Sequence, residues 1–224
     1  MRAFMDTRYC FAPQFLSAAA RMTRLAYKIE AQTPESVDAD LRSEHLGFTT
    51  SAIMQSVAAL EADSWEVLNY GPAHHLGSSE ANTIATTFIQ PLSETLERLD
   101  ALERYAAAIH LLRKSALDRG GQPWQDTQLL IRLRNEITHY KSLSGSEMDS
   151  AKLYATLKAQ KSPKPPFWPE TGVNFFPLQC LSAARAEWAV RTACGLMEAV
   201  YERFQIRSPL AGYSQNWFTA DPRH

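Results

Sequence analysis

A stretch near the middle of the chain combines residue types that bind phosphate and transfer protons, namely arginine and histidine. It reads Leu-Leu-Ile-Arg-Leu-Arg-Asn-Glu-Ile-Thr-His-Tyr-Lys over residues 129–141. Its apolar positions recur at helical spacing and predict a buried face made of Leu130, Leu133, Ile137 and Tyr140. Asn135 should then point nearly opposite that face, with Arg134 on its flank and His139 one turn further along. The pattern predicts a helix that exposes an arginine, an amide and a histidine together.

The residues from Arg134 to His139 resemble the R-N-x-x-x-H motif of the HEPN superfamily, the higher eukaryote and prokaryote nucleotide-binding domains. The surrounding sequence is similar as well. Residues 56–62, with Ala-Leu-Glu-Ala at their end, resemble the first core helix of a group of bacterial members. Residues 186–190 are similar to the closing helix of such proteins, and the resemblance covers roughly residues 42–206.

The resemblance implies a metal-independent endoribonuclease that acts as a homodimer. In many HEPN proteins the motif helices of two subunits face each other across a two-fold axis, and the cleft holds two copies of the motif. A polar face turned away from its own core can be completed by a symmetric partner in this way. The implied substrate is RNA, the implied setting is defence, stress or toxin–antitoxin biology, and an antitoxin or other partner protein fits that setting.

The implied catalytic residues are Arg134, Asn135 and His139. Cleavage of RNA by its own 2′-hydroxyl requires proton transfer to and from oxygen, which a histidine can perform as general base or acid. Arg134 can stabilise the charge that develops on the phosphorane, and Asn135 can hold the imidazole or a phosphate oxygen. The expected product is a 2′,3′-cyclic phosphate. Glu61, on the facing helix, is expected to pair with Arg134 or to orient it, either as a structural partner or in support of catalysis.

The sequence departs from one HEPN pattern after the histidine. Nucleotidyltransferase-associated HEPN toxins often carry a tyrosine two residues beyond it, whereas here Tyr140 follows His139 directly and Lys141 takes the later place. Tyr140 is expected on the core face, so we do not interpret it as a modified regulatory tyrosine. Both residues are regarded as supporting the site.

Two other interpretations stay open. The chain could be a non-catalytic HEPN module that binds RNA, a nucleotide or a partner protein and keeps the motif for dimerisation. It could also be a structural helical bundle with a coincidental motif, in which case Arg134 and His139 would lie far from any cleft or two-fold interface.

Apolar residues at spacings of three and four predict the helices that must position the motif, and Pro and Gly predict their ends. The predicted helices cover about residues 11–29, 53–67, 79–90, 92–112, 126–141, 148–160 and 178–204. Thr33-Pro34 should end the first helix, Gly71-Pro72 should end the second, and Pro91 should break or kink the third. Asp126 is the expected N-cap of the motif helix.

These helices predict an all-α fold, because no run of alternating β-branched residues competes with them. We expect a HEPN-like bundle of four main helices in a single domain, with a core over about residues 42–206. An extra N-terminal helix, over about residues 10–32, is expected to pack on the bundle or to meet a partner. A proline-rich insertion over residues 162–177 should bury its aromatic side chains, and the tail over residues 207–224 should be irregular.

The composition is that of an ordinary folded protein. The 224 residues are 45% hydrophobic and 21% charged, with a net charge of -1. These values argue against a disordered chain and against a histone-like protein that binds nucleic acid through bulk charge. A local excess of positive charge exists nevertheless, since residues 132–164 hold seven Lys or Arg against three Asp or Glu.

Metal ligands and targeting signals are not evident in the sequence. The three cysteines are widely separated, and the six histidines form neither an H-x-H nor an H-E-x-x-H pattern. We therefore expect no metal site and no cofactor. No run of roughly eighteen apolar residues and no apolar leader occurs, which predicts a cytoplasmic protein without membrane contact.

Overall fold

The computed structural model describes residues 10–75, 78–111, 117–140, 152–169 and 171–211. These ranges contain α-helices and no β-strand, which confirms the predicted all-α class. The helices are α1 (Ala12–Glu30), α2 (Ala39–His75), α3 (Ser78–Ile84), α4 (Ser93–Arg98), α5 (Ala101–Leu111), α6 (Trp124–Thr138), α7 (Lys152–Ala159) and α8 (Ala183–Phe204).

The N-terminal helix α1 is part of the core. It has Pro13 in its first turn, where a missing N–H costs nothing, and it ends before Thr33-Pro34 as predicted. Its buried face is made largely of alanines, which let α1 approach α2 and α8 closely. The fully buried apolar residues of α1 are Ala12, Leu16, Ala19, Ala20 and Ala26. Of the two expectations for this helix, packing on the bundle is the one observed.

The central helix α2 is much longer than its apolar stripe predicts. It begins at Ala39, where Asp38 caps it by accepting a hydrogen bond from the backbone N–H of Leu41 at 2.9 Å. It continues to His75, so the predicted stop at Gly71-Pro72 is wrong. A proline removes one backbone hydrogen bond, and here it does so only in the last turns of a helix whose earlier turns are packed against α1, α5 and α8.

The predicted long helix over residues 92–112 is two helices. Leu99 is extended, with φ −72° and ψ 146°, and it separates α4 from α5. Asp100 then caps α5, because its carboxylate accepts a hydrogen bond from the backbone N–H of Glu103 at 2.9 Å. The apolar spacing runs on through the break, so periodicity alone could not show it.

The motif helix α6 begins and ends earlier than predicted. It starts at Trp124, so Asp126 lies in its first turn rather than at the N-cap, and there its charge complements the helix dipole. Its last helical residue is Thr138. Leu130 and Leu133 are fully buried as expected, but Tyr140 lies beyond the helix end and is 43% exposed. Its assignment to the core face is therefore wrong, because that assignment required the helix to continue.

The proline-rich segment buries two of its aromatic rings, and the start of α8 is held by polar contacts. Of the segment's aromatics, Phe167 and Phe176 are buried, as expected. The last helix begins at Ala183 rather than near Leu178, with the Ser182 hydroxyl as its N-cap. Glu30, at the end of α1, also accepts a hydrogen bond from the Ala183 N–H at 2.7 Å. The carboxylate thus ties the end of α1 to the positive end of α8.

The remaining predicted elements are seen in part. Helix α7 covers Lys152–Ala159, while residues 148–151 of its predicted range lie outside the described residues. In the tail, residues 207–211 have no helix and Leu210 is buried against the core.

If α1 is integral to the core, shortening one of its buried side chains should destabilise the whole protein. We expect Leu16→Ala to lower the free energy of unfolding by about 2–5 kcal/mol, measured by urea unfolding. Ser17→Ala, at an exposed position of the same helix, should stay within about 0.5 kcal/mol of the wild type. Equal stabilities of the two variants would mean that α1 is an appendage.

Candidate functional site

Arg134 is held on the flank of α6 by a carboxylate from α2. Its Nη2 donates a hydrogen bond to Oε1 of Glu61, and the two side chains form an ion pair. The Arg134 side chain is 24% exposed and that of Glu61 44% exposed, so the pair lies at the surface. The Nε of Arg134 is buried and has no hydrogen-bond partner. The pairing expected from the sequence is therefore present, and it uses one of the five N–H donors of the guanidinium.

Asn135 and His139 are both exposed, on the solvent side of the last turn of α6. His139 is the C-cap of the helix, with φ −114° and ψ 31°, and its backbone N–H donates to the Asn135 carbonyl at 2.9 Å. Thr138, between them in sequence, donates from its hydroxyl to the Arg134 carbonyl at 2.9 Å. The three motif residues thus lie within about one and a half turns at the C-terminal end of α6. Arg134 is anchored, and the side chains of Asn135 and His139 are exposed.

Glu136, a carboxylate within the motif, has its partner on another flank of α6. Glu136 accepts a hydrogen bond from the hydroxyl of Tyr154 on α7 at 2.6 Å. The ring of Tyr154 stacks on Phe176 at 5.3 Å, and Tyr140 approaches the same Phe176 ring at 5.7 Å. Tyr140 is therefore a partly exposed neighbour of the proline-rich segment. Lys141 lies outside the described residues.

Next to the motif helix, a buried carboxyl group joins three helices. Asp63 of α2 is fully buried and accepts hydrogen bonds from the hydroxyls of Tyr105 on α5, at 2.7 Å, and Tyr201 on α8, at 3.0 Å. Burial raises the pKa of Asp63 from 3.8 to about 7, against the opposite effect of the two hydroxyl donors. The negative charge of Glu66 raises it further. The group can therefore hold a proton at near-neutral pH.

A buried arginine extends this polar layer. Arg104 of α5 donates from Nε to the Ser64 hydroxyl at 3.0 Å and from Nη1 to the Leu99 carbonyl at 2.7 Å. Its guanidinium also lies 4.8 Å from the ring centroid of Trp65. Burial lowers the pKa of Arg104, while the negative charge of Glu61 acts in the opposite direction. One turn of α2, from Glu61 to Ser64, thus faces an arginine from α6 and another from α5.

Sequence reasoning missed the Asp63 network, although a signal was present. Asp63 follows Leu60 by three residues and precedes Val67 by four, so it falls on the predicted buried face of α2. A carboxylate on such a face needs hydrogen-bond partners. Tyrosine hydroxyls are suitable donors, but Tyr105 and Tyr201 are 42 and 138 residues away in sequence, and only the tertiary fold reveals them.

The described residues contain neither a metal-binding group nor a cysteine whose thiol is readily deprotonated. No group of three or more His, Cys, Asp or Glu in these ranges is arranged to hold a metal ion. Burial raises the pKa of Cys10 and of Cys180 to about 11 and that of Cys194 to about 12, which keeps these thiols protonated. Within the same ranges, no helix has the length and apolar character needed to cross a membrane.

Comparison with known proteins does not place the chain: no family model, no curated protein and no solved structure matches it.

The raised pKa of Asp63 predicts a pH-dependent stability. Between pH 4 and 7 the folded state binds more protons at Asp63 than the unfolded chain does, so the free energy of unfolding contributed by this group falls as pH rises. Asp63→Asn keeps a neutral, hydrogen-bonding side chain and should lack this loss. We expect wild type to lose more stability than Asp63→Asn between pH 4.5 and 7.5 in urea unfolding. The exposed Glu44→Gln variant should follow wild type, and parallel curves for Asp63→Asn and wild type would contradict the assignment.

The Arg134–Glu61 pair should contribute little to stability, because it lies at the surface. A double-mutant cycle with Arg134→Ala and Glu61→Ala should give a coupling energy of about 0.2–1 kcal/mol. Replacing Arg134→Ala in the cycle by Arg132→Ala, at an exposed position of the same helix, should give no coupling beyond error. A coupling of several kcal/mol would show that the pair is needed for folding, and Arg134 variants could then not be used to test function alone.

Proposed function

We propose that the chain is a HEPN-type, metal-independent endoribonuclease that acts as a homodimer in the cytoplasm. The observation that carries the proposal is the arrangement on the last turn of α6. Arg134 is fixed by Glu61 on the flank of the helix, and the side chains of Asn135 and His139 are exposed near its C-terminal end. None of the three side chains is fully buried in the core, whereas Leu130 and Leu133 of the same helix are buried and anchor it.

In the proposed reaction the side chains divide the work of phosphodiester cleavage. His139 removes the proton from the 2′-hydroxyl or supplies one to the departing 5′-oxygen. Arg134 stabilises the charge on the phosphorane with the N–H donors that Glu61 does not occupy. Asn135 holds the imidazole or a phosphate oxygen. The bond from the 2′-oxygen to phosphorus forms as the bond to the 5′-oxygen breaks, which leaves a 2′,3′-cyclic phosphate.

Glu61 acts as a positioning residue in this proposal. It belongs to α2, which is packed against α1, α5 and α8, so the backbone that carries its carboxylate is held in place. A guanidinium held from a rigid helix loses less conformational entropy when it binds a phosphate. The interaction therefore prepares Arg134 for a substrate as well as compensating its charge.

Exposed apolar side chains around the motif are consistent with dimerisation through this face. Met54 of α2 is 36% exposed, and its sulfur lies 3.6 Å from the Thr138 hydroxyl. Tyr140 is also exposed on the other side of the turn. A second copy of the same face would cover both residues and bring a second Arg134 and His139 toward the first. The setting in defence, stress or toxin–antitoxin biology, with an antitoxin as partner, rests on the HEPN resemblance.

A non-catalytic HEPN module is the alternative function. It is favoured by the ion pair itself, because Glu61 already compensates the charge of Arg134, and by the position of His139 at the helix end rather than inside it. Such a module would bind RNA, a nucleotide or a partner protein without cleaving RNA.

The test is cleavage of a mixed RNA substrate by the purified chain in EDTA, with analysis of the product ends. We expect cyclic phosphate termini from wild type. His139→Ala and Arg134→Ala should each lower the rate by about 100-fold or more, as loss of an acid–base group or of a charge-stabilising donor does. Arg132→Ala, a change of the same residue type on the same helix, should retain most of the activity. Light scattering should give the mass of a dimer for all four proteins.

Equal cleavage by wild type, His139→Ala and Arg134→Ala would overturn the proposal. RNA binding by a dimer without any cleavage would support the non-catalytic module instead. A monomer that neither binds nor cleaves RNA would leave a structural bundle with a coincidental motif.

A further inference from the structure

A cavity of about 920 Å³ lies between the end of α7, the proline-rich segment and the start of α8. Its described lining residues include three lysines, one arginine and aromatic rings, and none of them has a carboxylate. The residues that matter most here are Lys158, Lys161, Lys164, Arg185, Trp168 and Phe175. The volume is in the range of small-molecule sites. Arg134, Asn135 and His139 do not line it, so it is separate from the proposed catalytic face.

Arg185 gives the strongest indication of a ligand. It is only 2% exposed and lines the cavity. Its Nη1 donates to the side-chain oxygen of Gln160 and its Nη2 to the Leu157 carbonyl at 3.0 Å, but its Nε is buried without a partner. Both acceptors are neutral. A buried guanidinium is costly when its acceptors among the described residues are all neutral, and a bound anion would supply the counter-charge.

Within the part of the chain that the structure describes, no group near Arg185 supplies a negative charge. Among the described residues, no carboxylate forms an ion pair with it. The neighbouring Cys180 is buried, which raises the pKa of its thiol to about 11, although the charge of the Arg185 guanidinium and a hydrogen bond from it act in the opposite direction. The thiol is therefore neutral at physiological pH. The Arg185 guanidinium also contacts an aromatic ring, since its Cζ lies 5.2 Å from the ring centroid of Trp188.

The lysines and aromatic rings extend the site toward solvent. Lys158, Lys161 and Lys164 are all exposed, and the ammonium of Lys158 lies 5.1 Å from the ring centroid of Phe175. The loop that carries Trp168 is fixed from within, because the Gln179 amide donates to the Pro169 carbonyl at 2.9 Å. Cations that converge on an ordered aromatic wall suit a ligand that joins a phosphate to a flat ring.

We propose that this cavity binds a nucleoside phosphate, with the phosphate against Arg185, Lys161 and Lys164 and the base against the aromatic wall. A free nucleotide and the 5′-phosphorylated end of an RNA strand share this chemistry. The site goes beyond the proposed nuclease function and does not depend on it, since it uses none of the motif residues.

The test is calorimetric titration of the full chain with AMP, ATP, inorganic phosphate, and a short RNA with either a 5′-phosphate or a 5′-hydroxyl. We expect the nucleotides or the 5′-phosphorylated RNA to bind. The double variant Lys161→Ala/Lys164→Ala should weaken that binding at least about tenfold, the cost of losing charge-assisted contacts worth about 1.4 kcal/mol or more. The matched control Lys28→Ala/Lys152→Ala removes the same charge from exposed positions outside the cavity and should change binding less than about twofold.

The outcomes separate the sources and the two proposals. Binding of AMP or ATP supports a free nucleotide, and binding of only the 5′-phosphorylated RNA supports an RNA end. His139→Ala should bind AMP and ATP as wild type does, so loss of RNA cleavage and loss of nucleotide binding are distinguishable. Three results would each overturn the proposal: no probe binds, inorganic phosphate binds as tightly as the nucleotides, or the two double variants weaken binding equally.

Discussion

The hydrogen-bonded carboxyl group of Asp63 is the interaction around which the helices of this protein are arranged. It lies in α2 with no access to solvent. One of its oxygens accepts a hydrogen bond from the Tyr105 hydroxyl of α5, and the other accepts one from the Tyr201 hydroxyl of α8. A buried carboxyl without partners would cost several kcal/mol, so the register of both neighbouring helices is tied to this position. The apolar contacts around it, from residues such as Leu60 and Leu68, supply the bulk of the stabilisation, but many registers would satisfy them. The tyrosines select one.

The same stretch of α2 also decides what the motif helix presents. Glu61 and Ser64 flank Asp63, and they receive Arg134 from α6 and Arg104 from α5. Since α2 cannot rotate without breaking the Asp63 contacts, the carboxylate that holds Arg134 is fixed as well. The orientation of Arg134 in the exposed motif thus depends on the buried hydrogen bonds of Asp63, which lies two residues from Glu61 on α2. This coupling explains how a surface group of three polar residues can be oriented although none of them is itself buried in the core.

The face of α6 could be predicted from the sequence because it depends on local geometry. Spacing of three and four placed Leu130 and Leu133 inside and Asn135 outside, and the structure agrees. The prediction for Tyr140 is wrong because it required two more helical residues, and helix ends depend on capping that spacing does not encode. The length of α2 was not predicted, because packing can continue a helix past a glycine and a proline. The break at Leu99 was not predicted either, because a capping aspartate can begin a new helix within a continuous apolar pattern. The tyrosine partners of Asp63 could not be predicted, since their pairing depends on the packing of helices distant in sequence.

Two arginines in the described residues have a buried Nε without a partner, and the difference between them is chemically informative. Arg134 forms an ion pair with Glu61 at the surface, so a phosphate that binds Arg134 must compete with a carboxylate. Arg185 is almost fully buried and bonded only to neutral acceptors, beside exposed lysines. An anion there would meet no competing carboxylate among the described lining residues and would supply the counter-charge that the neutral acceptors of Arg185 lack. The net charge of -1 does not argue against the proposed phosphate site, because the local arrangement of positive charges matters more for anion binding than their total number.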